Sequence, residues 1–480
     1  MARGWAGGSR VGAIHELPHT HQVKMTKGRS YGMIVGANQT MLEISLMSTI
    51  PQVAQAMQAV LIDKADELGR KVGFIRRQRN LTGGKFVQAL VFGFQANPEA
   101  TYEDLSQAAA AVGAAITPQG LEQRFTATAA HLVQQALVCA VEQVITSRPA
   151  AIPILQRFEG VYLRDSSVIS LPPALVEMWP GVGNSHGATA ALKLQVELNF
   201  RTGQLHGPVI QSGRTQDQTS PFQRQALPAG ALHVADLGYF NLERLAQDDQ
   251  RGVYWLTRLK GGTAVYSPAG ERLDLVRWLN MQGEGVLDQP VVVGMQQQLP
   301  CRLLAVRVPQ EVAEQRRRRL RDYARKKQVP LNAETFALAA WTLVITNVPP
   351  ETLSLQEALV LLRVRWQVEL LFKLWKSHAR VDEWRSHNPW RILCEVYAKL
   401  IGAVMLHWVC LTSFWERPNR SLFKAACAVQ KHAFALALAL PSCDSLVLAL
   451  TSLKSCLVAT CKVSRRRKHP STYQLLLDVP

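Results

Sequence analysis

The chain has 480 residues, too many for one ordinary domain, and its 48% hydrophobic content is enough for several cores. Lysine plus arginine exceed aspartate plus glutamate by 54 to 36, a net charge of +18 that suits a polyanion. The uninterrupted apolar stretches, around 401–410 and 433–440, read as short against the roughly 18–20 residues of a membrane span, so no membrane role is expected.

The N-terminus lacks the apolar segment of a signal peptide. The eight cysteines form no CxxC pair, and six of them fall within 394–461, a stretch with helical periodicity. They read as reduced core residues of a cytoplasmic protein.

Residues 1–48 are rich in glycine and polar residues without sustained period, and read as a disordered leader. Residues 49–150 are helical and alanine-rich, with a basic knot at Arg76, Arg77 and Arg79. A helix-turn-helix-like stretch is expected here. Leu105 to Val112 forms its first helix and Gly113 opens the turn. Thr117 and Pro118 start a second helix through Leu121, Arg124 and Phe125. A plain helical hairpin fits the same residues.

Period-two patterns begin near 155 and mark residues 151–260 as the first part of a mixed α/β core. Gly160–Ile169 reads as a strand running into a polar centre at Asp165. Leu192–Leu198 alternates cleanly and turns through Arg201-Thr202-Gly203 into a second arm at 204–211, a hairpin. Within it Lys193 reads as a surface lysine. The stretch Leu232–Phe240 holds a buried strand ending in an aspartate, Asp236, followed by a helix (242–248) and a strand (253–259).

Residues 261–350 change character, with short strands near 291–295 and 302–308. A basic helical segment from Arg316 through Arg317 and Arg318 to Lys327 follows, then a strand at 342–347. They read as a β-rich insertion whose basic run contacts phosphate. Residues 351–389 return to the core, and 390–480 form a C-terminal helical domain ending in a second basic run at 465–468.

The helix through Leu362 and Lys376 carries the most informative pattern. At about 100° per residue, Arg365, Glu369, Lys373 and Lys376 fall within roughly 80° of one another. Val364, Trp366, Val368, Leu370, Leu371, Leu374 and Trp375 fill the rest of the circumference, as in a helix inside a protein. A carboxylate there needs a cation, a metal or a charged substrate. Asp165 and Asp236 are each expected to terminate an apolar strand, where binding groups gather in α/β sheets. Three carboxylates from two strands and a helix would suit two Mg2+ ions about 3.5–4 Å apart, the arrangement for in-line phosphoryl displacement. Arg365, Lys373 and Lys376 would bind flanking phosphates. Trp255 and Trp366 are candidates for base stacking, with core packing the plainer role. No GxxxxGK[ST] occurs, which argues against a P-loop NTPase.

At these residues the sequence resembles the DDE transposases of bacterial insertion sequences, specifically the IS-four group. That group's Tyr-x2-Arg-x3-Glu-x6-Lys signature is present as Leu362, Arg365, Glu369 and Lys376, with leucine at the tyrosine position. The resemblance extends to Asp165-Ser166-Ser167-Val168-Ile169, to Asp236-Leu237-Gly238-Tyr239-Phe240 and to Ile345-Thr346-Asn347-Val348-Pro349. It implies an RNase H-like mixed-sheet core interrupted by a β-rich insertion and flanked by helical domains, the N-terminal one binding the element's ends. It further implies Asp165, Asp236 and Glu369 as the catalytic, metal-binding triad, served by Mg2+ or, in its place, Mn2+. The implied partners are double-stranded DNA (terminal inverted repeats and target) and a second copy in a synaptic homodimer. The implied route is cut-and-paste: water frees a 3′-hydroxyl at each end, a hairpin often follows in related enzymes, and the end attacks target DNA. Two alternatives stay open at this point, a non-catalytic DNA-binding protein and a nuclease of the same core without strand transfer.

Overall fold

Helix starts are set by local chemistry that the sequence carries openly. Thr49 with Gln52, Thr101 with Asp104 and Ser354 with Glu357 each form a reciprocal capping box, and Asn388 caps the helix Pro389–Phe414 through the amides of Trp390 and Arg391. The computed structural model of the protein describes residues 48–77, 80–183, 187–283, 285–417, 419–464, 466, 468 and 470–478. The expected disordered leader therefore lies outside the described residues except for Ser48, as do Arg79 and half of the basic run at 465–468.

The chain divides into two units. The described part of the larger comprises 48–241, 247–255 and 349–478. It contains strands β1 (Val161–Leu171), β2 (Ala190–Asn199), β3 (Leu205–Ser212) and β4 (Leu232–Ala235), in the order β3-β2-β1-β4. The pairings β3–β2 and β2–β1 are antiparallel, and β1–β4 is parallel. Strand β5 (Tyr254–Arg258) begins in this unit, where the Tyr254 amide donates to the Ala231 carbonyl at 2.8 Å. The β2–β3 hairpin turns at Gly203, whose φ of +74° suits glycine. A Cβ there would also lie 2.3 Å from Leu411 Cδ2.

In the same unit the N-terminal and C-terminal helices share one core. Pro389–Phe414 packs on Ala127–Val141 and Gly83–Ala96, and Cys443–Thr460 packs on Ile50–Gln58. The expected helix-turn-helix comes out differently. Its first helix spans Tyr102–Ala111 and Gly113 does adopt a positive φ. The second, Pro118–Glu122, has only five residues and stops before Arg124 and Phe125.

The membrane expectation also needs correction. Among the described residues, three helices are long and apolar enough to cross a membrane: Pro389–Phe414, Leu422–Ala439 and Cys443–Thr460. Counting uninterrupted apolar runs missed them, because isolated polar residues barely lower the mean hydropathy of a whole helix. The apolar window of Pro389–Phe414 is wholly buried within the protein, and those of the other two are 33% and 22% buried. All eight cysteines are free thiols, and Cys427 is exposed rather than in the core.

The smaller unit comprises 242–246 and 256–348 among the described residues and is rich in strands. Here the end of β5 pairs with β9 (Trp341–Thr346), followed by β8 (Leu299–Arg307), β7 (Val286–Val293) and β6 (Val265–Tyr266), all antiparallel. The basic helix Gln310–Lys327 joins β8 to β9. Arg316 turns inward from it, donating to the Trp341 carbonyl at 2.9 Å and to Thr342 Oγ1 at 3.0 Å.

Candidate active site

Parallel pairing of β1 with β4 sets the first two acids side by side. Leu163 stands opposite Val234, and the same register carried two residues further aligns Asp165 with Asp236. Asp165 does not end its strand, as the sequence suggested. β1 continues to Leu171 because Ser166–Leu171 keeps its antiparallel partners Gln195–Ala190 on β2. Asp236 does follow the last residue of β4, and its carbonyl accepts the Tyr239 amide at 3.0 Å to close a short turn.

Glu369 is presented by the helix Trp366–Ser377, which packs on β1. The helix expected here comprises Leu355–Val364 and Trp366–Ser377, joined through Arg365, which itself keeps helical φ and ψ of −49° and −34°. From that junction the Arg365 guanidinium reaches all three acids. It lies 2.7 Å from Glu369 Oε1, 3.4 Å from Asp236 Oδ1 and 3.9 Å from Asp165 Oδ2. Asp165, Glu369 and Arg365 are largely enclosed, while the Asp236 side chain is 39% exposed and opens the cluster to solvent.

Burial dominates the electrostatics. It pushes the Asp165 carboxyl up to about 7, against the opposing pull of the Ser166 amide (2.8 Å) and Arg365. Burial likewise raises Glu369, and Arg365 works against it. Two buried acids thus hold their charge reluctantly and share one monovalent cation. Among the described residues, no group of three or more His, Cys, Asp or Glu side chains is close enough to hold a metal ion as placed. The three acids fan around the guanidinium instead of touching one another.

The other expected residues fall elsewhere. Lys373 Nζ sits 3.8 Å above the Trp366 ring, and Lys376 donates to the Val168 carbonyl at 2.9 Å. Leu362 is buried, and so is Trp255. Arg76 and Arg77 are exposed and Arg124 is half-buried, in the helical part of the larger unit. Arg317 is engaged by Glu314 at 2.6 Å and lies against the Phe336 ring, whereas Arg318 is exposed.

Sequence reading missed a second layer. β2 alternates as a half-exposed strand would, yet all of it is buried, polar face included. On that face Glu197 Oε2 meets Arg164 Nε at 2.6 Å, and Lys193, expected at the surface, is paired with Asp217 at 3.1 Å. The available signal was the run of unlike polar types, Lys193, Gln195, Glu197 and Asn199, on one face.

Residues 156–405, just over half of the chain, match the family described as the transposase DDE domain. The chain belongs to this family. It is similar along most of its length to the transposase for insertion sequence element IS231F of Bacillus thuringiensis subsp. israelensis. The two are 26% identical over 89% of this chain and 94% of that protein. The transposase for IS1151 of Clostridium perfringens is 23% identical over 73% of this chain and 79% of its own length. A shorter match, 34% identical over 22% of this chain and 29% of the relative, is to the putative transposase InsL for IS186A of Escherichia coli strain K12. The chain is therefore a DDE transposase, an enzyme of a family that acts on DNA and generally uses divalent metal ions. Its mixed α/β architecture with many helices agrees with the expected RNase H-like fold.

Proposed function

We propose that this transposase cuts the ends of an insertion sequence and joins them to target DNA, with Asp165, Asp236 and Glu369 as its catalytic triad. The observation that carries the reading is the convergence of these acids on one guanidinium. The donor set fits a hard divalent cation: three carboxylates, two of them raised by burial, and no sulfur or imidazole among them. Mg2+, with Mn2+ able to substitute, is the ion this set would take, two per site. When bound, such ions favour the attacking oxygen and stabilise the leaving one during in-line displacement.

The chain's own residues supply the rest. In end cleavage, water adds to the phosphorus and the bond to the 3′-oxygen breaks, leaving a 5′-phosphate, while the departing 3′-oxygen takes up the proton released by the water to become a free hydroxyl. Arg365 neutralises the acids and is placed to meet a phosphate beside them, its planar fork suiting bidentate contact. Lys376 and Lys373, a turn or two along the same helix, extend that positive edge. Arg76, Arg77, Arg79, Arg124 and the exposed Arg318 are proposed contacts to DNA further from the chemistry, with two copies of the chain bringing two ends together. Leu362 offers no hydroxyl where the signature has tyrosine, so a hairpin intermediate is not needed for the proposed route.

The test is nicking of end-containing double-stranded DNA with Mg2+ or Mn2+, followed by joining of precut ends. Asp236→Asn should abolish both reactions while DNA binding persists. Binding without cleavage by the unaltered protein would refute the catalytic reading, and cleavage without joining would reduce it to a nuclease.

A further inference from the structure

The buried polar face of β2 ends in a cluster outside the triad. Ser166 stands opposite Gln195 and Val168 opposite Lys193, so these four side chains share one face of the sheet. Asp165, opposite Val196, projects from the other face, toward Glu369 and Arg365. Asp217 closes the back face. Its Oδ1 accepts from Ser166 Oγ at 2.7 Å, Lys193 Nζ at 3.1 Å and Gln195 Nε2 at 3.4 Å.

Two of those links lead to the acids. The Ser166 amide donates to Asp165 Oδ1 at 2.8 Å, so the residue held by Asp217 is the one that orients the Asp165 carboxylate. Gln195 Oε1 accepts from Tyr239 Oη at 2.8 Å, and the Tyr239 amide closes the turn that begins at Asp236. The carboxylate also abuts that turn directly, since a Cβ on Gly238 would stand 3.5 Å from Asp217 Oδ2. A counter-ion for Lys193 would require one of these bonds; the full set joins the backbone after the first acid to the backbone after the second.

We propose that Asp217 is a positioning residue that fixes Asp165 and Asp236 relative to each other from the opposite side of the sheet. This rests on the reading of the two aspartates as metal ligands. Supporting groups of this kind tune affinity more than fold: removing one typically lowers metal affinity by about 10- to 100-fold.

The experiment uses the full-length protein without DNA and Mn2+ alone as probe, with free Mn2+ followed by electron paramagnetic resonance. Thermal melting and metal-free DNA binding serve as controls. Asp217→Ala and Ser166→Ala should each weaken Mn2+ binding by about 10-fold while metal-free DNA binding stays near the parent value. Ser166→Ala should also melt like the parent, whereas Asp217→Ala, which leaves the buried Lys193 without its carboxylate, melts lower but still cooperatively. The double variant should be no weaker than Asp217→Ala, because both remove one chain of contacts. Nicking by Asp217→Ala should recover at high Mn2+, a shift in half-saturation that general loosening of the fold would not give. Unchanged Mn2+ affinity in folded Asp217→Ala overturns the proposal; should that variant not fold, unchanged affinity in Ser166→Ala does so. Asp236→Asn separates the two layers of inference. If it loses Mn2+ and Asp217→Ala does not, only the positioning role falls. If it binds Mn2+ like the parent, the metal-ligand reading falls and takes the positioning role with it.

Discussion

Replacing Arg365 by glutamine removes the one cation that touches all three acids, and its effect on divalent-ion binding has an unusual sign. In the metal-free protein the guanidinium is the counter-ion of the cluster, held most tightly by Glu369 at 2.7 Å. Any ion drawn to the acids competes at least with that bond. A hydrogen bond between charged partners contributes about 1.5–3 kcal/mol. Relieving the competition should therefore tighten Mn2+ binding by roughly 10- to 150-fold. The same change leaves enclosed carboxylates without a partner and should lower metal-free stability by about 3–5 kcal/mol. Part of that loss is offset as the two acids already raised by burial take up protons. The assay is Mn2+ titration of DNA-free protein at pH 8, where Asp165 is ionised, paired with melting curves with and without the ion. Arg365→Gln should melt lower than the parent without Mn2+ and show the larger upward shift with it. Equal or weaker Mn2+ affinity in the folded variant would refute the competition argument.

Other consequences follow from the same geometry. Because burial raises Asp165 to about 7, its contribution to metal-free stability is full below the unfolded carboxyl value and is lost as pH rises through 7. Asp165→Asn should thus stabilise the protein relative to the parent at pH 8 and hardly at pH 4; an equal difference at both pH values, by calorimetry, contradicts this. Lys399 lies buried, 2.8 Å from Glu395 and bonded to the carbonyls of Arg380 and Glu383. Lys399→Met leaves that glutamate only the more distant Arg391, at 3.9 Å, and should lose up to about 3–5 kcal/mol in urea unfolding. Gly203→Ala combines a disfavoured φ with contacts to Leu411 and Trp415 and should lose at least about 1–3 kcal/mol in the same measurement. Arg318→Ala should weaken binding to all DNA sequences alike and reduce the salt slope by about one; a loss confined to specific DNA would assign that helix a different task.

Much of this was legible because periodicity and turn chemistry are local. The hairpin through Gly203, the strand before Asp236 and the helix bearing Glu369 lie where their residue patterns put them. The misreadings share a cause, since each concerned what covers a surface. Polar alternation in β2 resembles a solvated face until Asp217 and its neighbours close over it. Asp165 resembles a strand terminus because a polar Ser-Ser pair follows, yet pairing with β2 carries the strand onward. Asp165, Asp236 and Glu369 were visible in sequence as candidates. That one arginine would sit among all three acids was not, because its reach to Asp165 and Asp236 depends on strands distant in the chain.

The cluster is anchored unequally. Asp165 lies on β1 and Asp236 directly follows β4, whose parallel pairing with β1 ties the two together, so separating them means opening a sheet. The third arrives on a helix clasped to that sheet by side chains, Lys376 on the Val168 carbonyl and Arg365 on the aspartates. Amide protons of Trp366–Ser377 should accordingly exchange sooner than those of β1, so that the glutamate is the first of the three acids to leave the cluster when the protein opens locally.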